Sequence, residues 1–194
     1  MSKSLLYIIF FISLGFSLAS QASGTMTVDV AKNVERTEIS SDAERQRLSV
    51  TAGLLADYEF AAKKLVDSLS DSSVTSEGIN AQANKLLILS EEVFDSARFR
   101  LPQCDEYLTK TLTLKDSIKT ISHDNLEKDY HHDGALPKAP GECYHTKDLF
   151  VHPATVLVLT RDDPELKEAT KTSINAEIAE VIAHTEVVRQ LVIY

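Results

Sequence analysis

Apolar residues recur at steps of three and four along most of this chain, a period that only a helix turns into one continuous face. Leu48, Thr51, Leu55, Tyr58, Ala62, Leu65 and Leu69 form the first such stripe. Ile79, Ala83, Leu86, Val93 and Ala97 form the second, widened by Leu89 and Phe94. Tyr107, Leu114, Ile118 and Ile121 form the third, and Ile174, Ile178, Val181, Thr185, Val188 and Val192 the last. The boundaries carry helix signals. Ser41-Asp42-Ala43-Glu44 spells a capping box, Pro102 forbids continuation of the second helix, and Asp163-Pro164-Glu165 pairs an N-cap acid with a proline suited to the first turn. Six Gly and five Pro among 194 residues supply too few turns for many short strands.

These patterns predict an all-α protein, an antiparallel up-down four-helix bundle. Its long helices have roughly 25–30 residues each, about 40 Å. The third helix is expected from about Gln103 towards Lys128 and the last from about Pro164. An extra short helix and a long irregular loop, residues 129–163, precede the last helix. Within that loop, residues 146–161 (TKDLFVHPATVLVLTR) are read as a short apolar helix kinked at Pro153, because a lone strand there has no partner.

Lys3, the uncharged apolar run Leu5–Leu18 and the small residues Ser20 and Ala22 follow the layout of a cleaved secretory signal over residues 1–22. A run of 14 falls short of the about 20 residues a membrane span needs. Residues 23–40 read as a flexible leader and 41–194 as a single helical domain. The expected location is periplasmic or secreted, with no membrane span after cleavage. The mature chain then carries 19 Lys and Arg against 29 Asp and Glu, a formal charge of −10. That balance argues against nucleic acid as a partner. An oxidising compartment also suits Cys104 and Cys143 as a disulfide. It closes a loop of about 40 residues, for which chain entropy gives roughly 4 kcal/mol.

Catalytic motifs are missing from the sequence. It has no Gly-x-Ser-x-Gly elbow, no Gly-rich phosphate loop and no His-Glu-x-x-His, and its adjacent carboxylates read as solvated faces or caps. The expected role is therefore non-enzymatic, with no cofactor. The protein would be an exported binding or interaction protein whose partner is an unknown envelope protein or small ligand. The alternative is a module for Zn or Cu. His131, His132, Asp133, His145 and His152 crowd one segment, with His123 just before it, and imidazole with carboxylate is a donor set those ions favour. His145 and His152, seven apart, share a face if the intervening residues are helical. His184, on the flank of the last stripe, is the natural axial candidate for haem. No Cys-x-x-Cys-His accompanies it, and Met26 lies in the leader.

Overall fold

The computed structural model describes residues 33–194, and it is helical with no strand among them. Six α-helices follow one another: α1 (Asp42–Ser68), α2 (Ser76–Arg100), α3 (Asp105–Thr111), α4 (His123–Leu126), α5 (Glu142–Asp162) and α6 (Glu168–Val192). The four long ones pack in a closed ring of neighbours, α1 on α2, α2 on α5, α5 on α6 and α6 on α1. No helix among the described residues is long and apolar enough to cross a membrane. The expected signal, residues 1–22, and leader residues 23–32 lie outside the described residues.

Helix α1 starts as its sequence dictates. The Glu44 amide donates to Ser41 Oγ at 3.2 Å, and the Ser41 amide donates back to Glu44 Oε2 at 2.7 Å. Together these bonds satisfy two of the amide donors left open at a helix start. The backbone of Ser40 and then Ser41 donates to this carboxylate and pulls its pKa down to about 2. Residues 33–40 lie against the helices. Arg36 donates to the carbonyls of Leu191 (3.0 Å) and Gln190 (3.4 Å), the Thr37 amide donates to Arg100 O at 2.9 Å, and Val34 and Ile39 pack on the core.

The third and fourth long helices are not the expected pair. The stripe after Pro102 does not make one long helix. It breaks into a 3₁₀ turn (Pro102–Cys104), α3, a second 3₁₀ turn (Leu112–Asp116), α4 and a π-helical turn (Glu127–His131). The segment expected to be mostly loop instead contains α5, 21 residues without interruption. The cause is burial. Two-thirds of α5 is enclosed, including Thr146, Lys147, Asp148 and His152, so it has too little solvent face to create a stripe. The last helix also starts four residues later than expected. Leu166 turns through φ 53°, while Asp163 Oδ2 accepts from the Lys167 amide and the Thr170 hydroxyl.

Pro153 sits inside α5 and donates no N–H, which leaves the Leu149 carbonyl, four residues earlier, without its helical partner. Tyr58 of α1, fully buried, supplies the missing donor: its hydroxyl reaches Leu149 O at 2.7 Å. The hydroxyl thereby joins two helices that are not neighbours in the ring. Replacing Tyr58 with Phe strands a buried carbonyl at a cost of about 1–3 kcal/mol. Urea unfolding should show a lower midpoint with an unchanged m-value, and an unmoved midpoint would refute the role given to this bond.

Cys104 and Cys143 form the disulfide, with Cα atoms 5.4 Å apart and both residues fully buried. It joins the start of α3 to the first turn of α5, across the irregular stretch. Replacing both with Ala is expected to lower stability by roughly 2–4 kcal/mol. Chemical denaturation of the variant against the oxidised parent measures this loss, and equal midpoints would show that the bridge carries no stability.

Candidate metal centre

Helix α5 presents His145, Asp148 and His152 at i, i+3 and i+7, and helix α6 presents Glu177, Glu180 and His184 with the same spacing. That spacing puts each trio on one helix face, and the two trios meet. His152 Nδ1 lies 2.7 Å from Glu177 Oε2, and its Nε2 lies 3.7 Å from Glu180 Oε2. His184 Nδ1 lies 3.2 Å from Asp148 Oδ2, and the rings of His145 and His184 meet edge to face at 4.8 Å.

A third element completes the group. The π-helical turn carries Glu127 and His131, whose Oε2 and Nδ1 are 2.7 Å apart. The turn is closed by the Gly134 amide on Lys128 O at 2.9 Å, with Asp133 just before it at φ 61°. Only glycine fits at 134, since a Cβ there would lie 2.5 Å from Lys128 O. Lys147, 2% exposed, holds the turn against α5. Its ammonium donates to His131 O at 2.7 Å and to Asp133 Oδ1 at 3.1 Å, and lies 3.2 Å from Asp148 Oδ1. Tyr107 donates to the same Asp133 oxygen at 2.5 Å. Burial, then that bond, pushes the Tyr107 hydroxyl well above its ordinary range, so it remains a donor.

The result is a row of five imidazoles. Centroids are 5.2 Å apart from His132 to His131, 4.9 Å to His152, 5.6 Å to His184 and 4.8 Å to His145. Within it, His131, Asp148 and His152 each bring a potential ligand atom within 4.8 Å of the other two. Glu127, His131 and His132 do the same at the outer end. Fully buried His152 has its Nδ1 on Glu177, and its Nε2 makes no hydrogen bond among the described residues.

Of the residues singled out from sequence, His131 and His152 converge and His132 stands at the edge. His145 packs on His184 instead of joining the triad, and Asp133 is taken by Tyr107 and Lys147. His123 lies 3.9 Å from Glu127 Oε1, at the periphery. Asp148, Glu127 and Glu177 escaped the sequence reading. The matching i, i+3, i+7 trios of α5 and α6 were the signal that reveals two of them.

Electrostatics favours a cation here. The group holds five carboxylates against one ammonium: Lys147 pairs with Asp133 and Asp148, while Glu127 lies on His131 and Glu177 and Glu180 on His152. Burial works to raise the Asp148 carboxyl, but the His184 hydrogen bond and the charges of Lys147 and the nearby imidazoles outweigh it and hold the pKa well below the usual range. The Glu127 hydrogen bond raises His131 above its ordinary value. Burial, helped by the charge on His184, lowers His145 to about 4.

Comparison of the chain with known families, with curated proteins and with solved structures finds no match in any of the three.

The His145 shift gives a pH dependence of known sign. Between about 6.5 and about 4 the unfolded ring takes a proton that the folded ring refuses, so folding weakens as pH falls through this window. Stability from His131 runs the other way and is lost above its unfolded value. Urea unfolding in chelator should therefore show the parent losing stability between pH 7 and 4.5, and His145→Gln losing less. Equal losses would refute the assignment.

Proposed function

We propose that this protein is an exported, non-enzymatic metal-binding protein that holds one Zn²⁺ or Cu²⁺ ion among His131, Asp148 and His152. One observation carries the reading. An imidazole with no solvent exposure has one nitrogen on a carboxylate and the other without a hydrogen bond, beside a second histidine and a buried aspartate. Leaving a polar nitrogen unsatisfied in the interior costs free energy, and a metal ion removes that cost. The Nδ1–carboxylate pairs at Glu127 and Glu177 are the outer support typical of metal-ligating histidines, fixing each ring so that Nε2 is the nitrogen offered. Two imidazoles and a carboxylate suit Zn²⁺ and Cu²⁺ better than Ca²⁺ or Mg²⁺, which favour all-oxygen ligation. Tetrahedral ligation places donor atoms about 3.3 Å apart, so the side chains would draw inward by roughly 1–1.5 Å on binding.

The architecture belongs to the same proposal. Contacts across the seam pair rising residue numbers on α5 with falling numbers on α6, as in an antiparallel up-down four-helix bundle, where metal sites are built from facing helices. Export is supported by the N-terminal signal pattern and the disulfide.

Calorimetric titration of the purified oxidised protein with Zn²⁺, and separately with Cu²⁺, should give one tight site per chain with proton release. His152→Ala should weaken that site at least ~10-fold, and Glu177→Gln, acting through His152, by about 10- to 100-fold. Uptake by the His131→Ala/His152→Ala variant as tight as that of the parent would overturn the reading.

A further inference from the structure

Two triads of the same composition share one residue. The buried one is His131, Asp148 and His152, and the outer one is Glu127, His131 and His132. Each holds two imidazoles and one carboxylate, and His131 belongs to both. They differ in access: His152 is fully enclosed, whereas His132 is exposed and the side chains of Glu127 and His131 are about a quarter exposed. The outer triad lies on the π-helical turn, pinned at its end by Lys147.

We propose that the outer triad is the capture station for the metal, which passes from it to the buried triad by ligand exchange through His131. The inference rests on the reading of the buried triad as a metal site. In the exchange the ion gives up the Glu127 carboxylate and the His132 imidazole and takes the Asp148 carboxylate and the His152 imidazole, and the released Glu127 then serves as the hydrogen-bond support of the His131 Nδ1. Two ligands leave and two of the same kinds arrive, so the charge of the ligand set is unchanged and no electron is transferred. A hydrated divalent cation sheds water at a cost, and replacing that water in two stages, the first at the surface, avoids taking a bare ion into the interior. His123 Nε2, 3.9 Å from Glu127 Oε1, extends the outer group towards solvent.

A station on the path speeds loading and unloading by the same factor and leaves the equilibrium constant alone. That separates it from a resting ligand and from a structural residue. The test is stopped-flow loading of the oxidised protein with Zn²⁺ against a chromophoric chelator, with unloading followed in excess chelator and affinity measured at equilibrium. His132→Ala should slow both rates by about tenfold or more while the dissociation constant holds, and His132→Asp, which restores a ligand at the exposed position, should recover the rates. Unchanged rates in His132→Ala overturn the capture station and leave the buried site standing. Weaker affinity with normal loading makes His132 a resting ligand and also overturns it. Failure of the parent to bind Zn²⁺ removes both readings together.

Discussion

Helix α5 is enclosed by its neighbours along most of its length, yet it carries a proline, a lysine, an aspartate and a histidine into the interior. Each is costly there without a partner. Much of the surrounding structure can be understood as the supply of those partners. Tyr58 reaches from α1 to the carbonyl that Pro153 leaves open. The π-helical turn brings the His131 carbonyl and Asp133 to Lys147. Helix α6 brings His184 to Asp148 and Glu177 to His152. The supply is incomplete: His152 Nε2, on a ring with no solvent exposure, is among the buried polar atoms that make no hydrogen bond among the described residues, and it faces His131 and Asp148.

The same enclosure explains what the sequence could and could not reveal. Helices α1, α2 and α6 each keep one wet side, so their stripes were legible, and the Ser41–Glu44 capping box formed as read. Helix α5 keeps almost no wet side along its middle, and its Pro153, a helix breaker in isolation, is accommodated where Tyr58, ninety-one residues from Leu149, supplies the donor. Local pattern carries no information about a donor that distant. The converse failure lies after Pro102. An apolar period continues through Ile121, but the chain is spent on short turns that cover the end of the site instead of on one helix.

The site was half legible for a related reason. Clustered histidines marked the segment, and the seven-residue spacing of His145 and His152 put them on one helix face. Which of them converge depends on α6, whose Glu177 and Glu180 look like ordinary polar positions, and whose His184 stands out only as a lone imidazole, until α5 is placed against them. Asp133 reads as a ligand from its place beside His132, but in the fold, where its backbone is left-handed, its carboxylate meets Tyr107 and Lys147. The disulfide fits the same plan, since it fixes the first turn of α5, which carries His145 and leads directly into Lys147 and Asp148.

The most direct measurement is X-ray absorption at the zinc edge of the oxidised protein loaded with one equivalent of Zn²⁺. Ligation by nitrogen and oxygen alone, with the outer scattering of two imidazoles that falls to one in His152→Ala, is the expected result. A spectrum of hydrated zinc, or one that His152→Ala leaves unchanged, would contradict a metal centre built on His131, Asp148 and His152.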